Sequence, residues 1–293
     1  NMSQISSKDI KKLRVSTGAG FMDCKKALEE TKSDFDLAID WLRKNGISSA
    51  KKKISRIASD GLIAINSTDN EASIIEINSE TDFVARNQEF QDFVSEISKI
   101  NFTCKGNLDE INAANYKSTN DTVSNFLVNL ISKIGEKINI RRSKYIETHD
   151  GFVGTYIHNI EKDNMGKIGV IVSISTKLSK DKIYDFLKKI SMHIAASSPV
   201  SINIEQLDEN LVNKEKEIIS EQINDNTKDK RILDKIIEGK INKFYNEVVL
   251  LEQNFIIDNK LKVSEYIERL EKELGSEIIV KDFIRFKIGE DLE

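Results

Sequence analysis

The chain has 293 residues, of which 39% are hydrophobic and 31% are charged, and its formal net charge is -4. This length is enough for two or three folded units, and this balance excludes a wholly disordered chain. The sequence holds no apolar run long enough for a membrane helix, and its two cysteines are too few for a disulfide framework. We therefore expect a cytoplasmic protein without a membrane anchor.

The first predicted unit is a basic module of three short helices in residues 1–56. Asn45 and Gly46 should end the third helix, and residues 48–56 should tether the module to the rest of the chain. Lysine and arginine outnumber aspartate and glutamate here, but no aromatic residues alternate with them, so we expect a solvated face and no direct binding of nucleic acid. Serine–aspartate pairs with capping-box spacing predict the starts of the first and third helices: Ser6 with Asp9, and Ser33 with Asp36.

Residues 57–148 are expected to form the first part of an α/β core. Two β-branched, apolar runs, 62–66 and 72–77, flank a polar turn and predict a hairpin. A helix should follow, because its apolar residues recur at helical spacing. A second amphipathic helix, from Val123 to Ile134, should cover one face of the first sheet.

The same order of elements returns in residues 149–204. The opening of this segment, residues 150–153, repeats residues 60–63, and the apolar pattern of the following helix also repeats. We interpret the core as an internal duplication of a hairpin-plus-helix unit.

Residues 205–250 are predicted to form an antiparallel coiled-coil hairpin, because two charged helical stretches with periodic apolar residues flank the polar turn 224–227. Residues 251–293 should then complete the second subdomain, with a helix at 264–274 and a strand at 277–286 that completes one of the sheets. The predicted fold class is therefore α+β.

The sequence lacks the common signatures of catalysis. It contains no P-loop, no dinucleotide fingerprint and no HExxH, CxxC or GxSxG motif. His149, His158 and His193 are scattered and lack metal-ligand spacing, so we expect neither a metal site nor a cofactor. We predict a protein that works by binding and is not an enzyme; an enzyme that uses these histidines is a distant alternative.

The sharpest local feature is the loop of residues 78–87, between a predicted strand and a predicted helix. In it, the apolar Phe83 and Val84 lie between the charged Asp82 and Arg86. Either Phe83 is an exposed anchor for a partner, or it staples the following helix to the sheet. The pattern alone favours the staple.

Several segments resemble signatures of the translation elongation factor Ts family, in the family's order. The similar segments are residues 13–28 (LRVSTGAGFMDCKKAL), 80–87 (ETDFVARN) and 192–199 (MHIAASSP), with weaker similarity at 135–142 (GEKINIRR) and 243–253 (KFYNEVVLLEQ). The likeness spans nearly the whole chain, and chance does not account for several independent motifs of this length.

This resemblance implies a guanine-nucleotide exchange factor for elongation factor Tu, in its GDP-bound and nucleotide-free states. It also implies a ubiquitin-associated-like three-helix module, a duplicated core and a coiled-coil hairpin. Phe83 then acts as a wedge near the partner's magnesium ion, and Asp82 is its polar neighbour. The family's partner-binding residues correspond to Arg14, Thr17, Gly18, Ala19, Gly20, Phe21 and Met22 in the module, to Thr81, Asp82, Phe83 and Val84 in the loop, and to His193, Ala195 and Ala196 in the second core helix.

The sequence leaves three questions open. His193 either contacts the partner or packs inside the core. A structural adaptor, which docks two partners through the module and the coiled coil and exchanges nothing, is the alternative function. The coiled coil mediates dimer contacts in some members of the family, so a weak homodimer is a further option.

Overall fold

The computed structural model describes residues 5–17, 19–53, 56–223 and 229–292. In this part of the chain, helices α1 (Ser7–Thr17), α2 (Phe21–Glu30) and α3 (Phe35–Lys53) come first. They pack around a small apolar cluster of buried side chains, which are Ile10, Leu13, Cys24, Ala27, Leu28 and Ala38. The expected three helices are therefore present, although Gly18 lies outside the described residues.

The ends of two of these helices test the capping predictions. Ser6 caps α1 as expected, because its hydroxyl accepts the N–H groups of Lys8 and Asp9 at 3.1 and 3.3 Å. The prediction for the third helix is wrong by one residue: the carboxylate of Asp34 accepts the N–H of Leu37 at 2.9 Å. Ser33 instead has a left-handed backbone, with φ of 68°.

The predicted end of the third helix at Asn45 and Gly46 is also wrong, since α3 continues to Lys53. Gly46 is buried and faces another helix, α7 (Val123–Ile134), where an added Cβ would lie 3.9 Å from the Ser132 side chain. Packing between the two helices therefore overrides the local tendency of Asn-Gly to stop a helix. The predicted tether is partly helical for this reason.

The core contains a six-stranded antiparallel sheet within the described residues. Its strands pair in the order β3, β2, β1, β5, β4, and β8 also pairs with β5. The strand bounds are β1 (Asp60–Ser67), β2 (Glu71–Ser79), β3 (Asn139–Glu147), β4 (Gly151–Lys162), β5 (Met165–Thr176) and β8 (Ile278–Lys287); a small separate hairpin pairs β6 (Asn254–Phe255) with β7 (Asp258–Lys262).

The sheet folds over so that its two halves pack face to face. The halves join where β1 pairs with β5 through Ile63 and Gly166 and through Ala64 and Met165. Alternate side chains point inward, as a strand period of two requires, and form an apolar layer: Ile63, Ile65, Ala72, Ile74, Ile146, Val153, Ile171 and Phe286. The sequence predicted the two hairpins, but it predicted neither β3 nor this single joined sheet.

Helices cover the outer faces of both halves. α5 (Gln88–Thr103) packs on β1 and β2, and α8 (Lys180–Ser197) packs on β4 and β5. Each half of the sheet thus carries a hairpin with a helix packed on it. Further helices are α4 (Asp82–Ala85), α6 (Leu108–Ala113) and α11 (Val263–Leu274).

The amphipathic helix α7 lies in the same core as α5. Its Leu130 and Ile131 are buried there, and its Phe126 stacks on Phe93 of α5 with ring centroids 5.9 Å apart. α7 therefore shares an apolar cluster with α5, but it packs more closely on α3 than on the strands of the sheet that it was expected to cover.

Two helices form an arm between α8 and β6: α9 (Glu209–Gln222) and α10 (Lys230–Val248). They contact each other, and Ile219 and Ile241 are buried. The predicted turn 224–227 lies outside the described residues. Across the described ranges, no helix is both long and apolar enough to cross a membrane.

Candidate functional site

The loop after β2 displays one aromatic side chain at the surface. α4 is a single helical turn, and Phe83 in it is 78% exposed. The next two residues, Val84 and Ala85, turn inward and join the core beneath β1 and β2. Phe83 is therefore not a staple. The buried Val84, which was predicted as a partner contact, anchors the turn instead.

A glutamate from another segment holds the start of this loop. The carboxylate of Glu136 accepts the backbone N–H groups of Glu80 and Thr81 at 3.0 and 3.1 Å and the Thr81 hydroxyl at 2.7 Å. In the opposite direction, the Glu80 carboxylate accepts the N–H of Lys137 at 2.7 Å. The hydroxyl of Thr81, a predicted contact residue, is thus already engaged within the protein.

The charged side chains of this turn form ion pairs with each other and with β4. Asp82 pairs with Arg86 at 3.2 Å, and Arg86 also lies 3.9 Å from Glu161 on β4. The side chains of Asp82 and Arg86 are 44% and 62% exposed, so their pair contributes little to stability and remains available to a partner.

The structure places His193 inside the protein. Its Nε2 lies 2.9 Å from the Gln253 side-chain oxygen, and its Nδ1 accepts the N–H of Ile256 at 3.2 Å. Burial lowers the pKa of His193, and the hydrogen bond to Gln253 opposes that effect in part. With its side chain fully buried, His193 packs and positions the β6–β7 hairpin rather than presenting a surface. Of its neighbours, Ala195 is buried and Ala196 is exposed.

The N-terminal module exposes an apolar group at the start of α2. Phe21 and Met22 are exposed there, together with Arg14 and Gly20, whereas Thr17 and Ala19 are half-buried. The Thr17 hydroxyl donates to the Leu13 carbonyl at 2.6 Å, so it closes the end of α1. Exposed aromatic and sulfur-containing side chains next to an arginine are typical of docking surfaces. Gly18 lies outside the described residues.

Glu136 and Gln253 have no predicted role, although both lie in segments that resemble the family. Each is a long polar side chain that bridges distant parts of the chain: Glu136 reaches the loop after β2, and Gln253 also donates to the carbonyls of Ser197 and Glu247 at 3.1 and 2.8 Å. Their place in two of the similar segments was the available signal.

No arrangement for metal chemistry accompanies these surfaces in the described part of the chain. There, no group of three or more His, Cys, Asp and Glu side chains could hold a metal ion. His149 is exposed, and His158 lies 3.0 Å from the Tyr156 hydroxyl.

Comparisons with known proteins agree along nearly the full length of the chain. A family model described as elongation factor TS matches residues 80–290. Elongation factor Ts from Rhodospirillum centenum is 38% identical over 292 residues, which are 100% of this chain and 95% of the relative. Elongation factor Ts from Maricaulis maris is 41% identical over 295 residues, 100% of this chain and 94% of the relative. The protein of that name from Rhizobium etli is 41% identical over 292 residues, with 100% and 95% covered.

Proposed function

The chain belongs to the elongation factor Ts family, and from that membership we propose that it is a guanine-nucleotide exchange factor for elongation factor Tu in the cytoplasm. It takes part in translation elongation, makes and breaks no covalent bond, and needs no cofactor of its own. The observation that carries this proposal is Phe83, an aromatic ring exposed on a turn whose neighbours are fixed in the core.

The proposed mechanism is a coupling between two binding events. A GTPase holds its nucleotide through phosphate contacts and a magnesium ion, whose ligands tolerate little displacement. Phe83 enters between packed elements near that ion and moves the ligands, while Asp82 supplies a charge beside it. Because coupling is reciprocal, a factor that binds the nucleotide-free GTPase more tightly must weaken the nucleotide equally. A coupling of about 4 kcal/mol corresponds to about a thousandfold weaker GDP binding.

The other parts of the chain supply affinity. The three-helix module acts as a ubiquitin-associated-like unit that grips the GTPase through the exposed residues around Phe21 and Met22. The arm formed by α9 and α10 is a coiled-coil hairpin whose exposed apolar side chains contribute to partner contact or to weak self-association. These residues are Leu211, Ile218, Ile232 and Ile236.

A stopped-flow measurement tests the proposal. Elongation factor Tu is loaded with fluorescent GDP, mixed with an excess of unlabelled GDP, and followed with and without this protein. We expect the release rate to rise with protein concentration and reach a plateau. Binding to elongation factor Tu without any acceleration of release would replace the proposal with the structural adaptor.

A further inference from the structure

The loop that displays Phe83 is held by a pair of carboxylates that reach in opposite directions. Glu136 accepts three hydrogen bonds from Glu80 and Thr81, at 3.0, 3.1 and 2.7 Å. Glu80 in turn accepts the N–H of Lys137 at 2.7 Å. We call this reciprocal arrangement of Glu80 and Glu136 the clasp. It closes a contact between two segments more than fifty residues apart in sequence.

The Glu136 half of the clasp is set by the end of a buried helix. Leu130 and Ile131 fix α7 in the core, and Gly135 follows it in a left-handed conformation, with φ of 86°. A side chain at Gly135 would be strained in that conformation, so glycine is suited to turn the chain there. Glu136 leaves this turn towards the loop, and its carboxylate is partly shielded from solvent.

The tether of the N-terminal module, residues 48–56, ends beside the clasp. The Arg56 guanidinium lies 3.4 Å from the Glu80 carboxylate and 3.5 Å from the Gly135 carbonyl, and the Lys137 ammonium donates to the Arg56 carbonyl at 3.0 Å. The Arg56 contacts are long and half-exposed, so they add little binding energy by themselves. They nevertheless show that the clasp is where the tether meets the loop.

We infer that Glu136 is a positioning residue for nucleotide exchange: it fixes the backbone of Glu80 and Thr81 so that Phe83, two residues further on, is held at one place on the surface. The inference rests on the proposed function and adds to it a residue that does not touch the partner's nucleotide site. An exposed ring on a loose loop would lose entropy when it inserts, whereas a ring held in place beforehand has already lost it.

Hydrogen exchange of backbone amides tests the geometric half of the inference without any partner. In Glu136→Ala, the one carboxylate oxygen that accepts the N–H groups of both Glu80 and Thr81 is removed, so both groups lose their acceptor. We expect these two amides to exchange about tenfold faster or more, while the ladder amides of Ile75 and Ile77 stay unchanged. Glu110→Ala is the matched control, because the Glu110 carboxylate is exposed and bonds to its own helix cap, Asn107. Unchanged exchange at both loop amides would overturn the inference.

Kinetics test the functional half. In the stopped-flow assay we expect Glu136→Ala to lower the plateau rate of GDP release about tenfold or more, because small displacements of a positioned group are costly. In the Phe83→Ala background, the same substitution should change the plateau by less than about twofold, since no ring is left to position. A purely structural role for Glu136 would lower the activity by the same factor in both backgrounds and would contradict the inference.

The outcomes separate this inference from the proposed function. If the wild-type chain does not accelerate GDP release, the proposed function fails, and the amide measurement alone decides whether the clasp holds the loop. If the wild type and Glu110→Ala accelerate release and Phe83→Ala does not, but Glu136→Ala matches the wild type, then only the positioning role is overturned.

Discussion

Phe83 is exposed because the two residues that follow it take the side of α4 that faces the core. α4 spans only Asp82–Ala85, and Val84 and Ala85 take its inward side. Asn87 then caps α5 by accepting the N–H of Phe90 at 3.1 Å, which fixes the exit of the chain. The ring is left on the solvent side, where it costs free energy in the isolated protein unless a partner covers it.

Truncation of the Phe83 ring should lower exchange activity and leave the stability of the fold nearly unchanged. Because Phe83 is mostly exposed, we expect Phe83→Ala to change the free energy of unfolding by no more than about 0.5 kcal/mol. A buried staple would cost about 3–5 kcal/mol. The plateau rate of catalysed GDP release should fall about tenfold or more, as for a central interface anchor. Urea unfolding and stopped-flow release measure the two quantities, and a stable variant with full exchange activity would remove Phe83 from the mechanism.

His193 should give the protein a dependence of stability on pH. Burial lowers its pKa in the folded state, whereas in the unfolded state it titrates near about 6.5. Below that pH the unfolded chain binds a proton that the folded chain does not, so the contribution of neutral His193 is present above about pH 6.5 and is lost as the pH falls.

Urea unfolding at about pH 7.5 and about pH 5.5 checks this prediction, because the two values lie on either side of the titration of the unfolded chain. The free energy of unfolding should fall more between these pH values in the wild type than in His193→Gln. His149→Gln, which changes a histidine with 90% of its side chain exposed, is the control and should behave as the wild type does. An equal fall in all three proteins would show that His193 contributes nothing to the pH dependence.

The periodicity of apolar residues in the sequence could not decide whether Phe83 and His193 face the solvent or the core. The apolar pattern around Phe83 fits a core staple as well as an exposed ring, and the two differ only in which side of a single turn faces the sheet. The polar partners of His193 lie sixty residues away at Gln253 and beyond, so its burial depends on long-range contacts. The family resemblance identified both segments, but it did not distinguish a surface contact from a positioning residue.

Local sequence signals were sufficient to predict a helix or strand where its packing partners are close in sequence. The β1–β2 hairpin, α5 and α11 form as predicted, because turn residues and apolar periods within each segment determine them. The continuation of α3 and the existence of β3 depend instead on distant partners. α3 packs on α7, and β3 pairs with β2 across more than sixty residues. No local pattern contains that information.

Two glycines should respond in opposite ways to an added methyl group. At Gly46, within α3, a Cβ would lie 3.9 Å from Ser132, which is ordinary contact, so Gly46→Ala should stabilise the fold by about 0.5–1 kcal/mol through helix propensity. At Gly169, on β5, a Cβ would lie 2.6 Å from Cγ2 of Ile63 on the facing half of the sheet. Gly169→Ala should therefore destabilise by about 1–3 kcal/mol.

Thermal or urea unfolding of both variants measures these effects, and each variant is the control for the other because the chemical change is identical. If Gly46→Ala destabilised the protein as much as Gly169→Ala, α3 would not pack on α7 as described. If Gly169→Ala had no effect, the two halves of the sheet would not approach as closely as they do at Ile63.

The whole molecule combines a layered core with an N-terminal module that contacts it through few elements. Two layers of sheet, covered by helices on both outer faces, hold the Phe83 loop and the β6–β7 hairpin on one scaffold. The module contacts this scaffold mainly through α3 on α7 and through Arg56 at the clasp. Because Glu80 and Glu136 both belong to the core, we expect Phe83 to keep its position without the first three helices.

Removal of the module should therefore lower the affinity for elongation factor Tu more than it lowers the plateau rate of GDP release. A chain that begins at Arg56 keeps the clasp and its contact with Glu80. We expect its half-saturating concentration in the GDP-release assay to rise about tenfold or more, since the exposed surface at Phe21 and Met22 is lost. The plateau rate should fall less than about threefold, because a uniform loss of affinity leaves the rate of GDP release within the complex unchanged.

A full-length Phe83→Ala chain is the complementary control: its plateau rate falls while the module still binds the partner. A collapsed plateau with unchanged half-saturation in the truncated chain would show that the module takes part in the distortion itself, and that the core alone does not carry the exchange step.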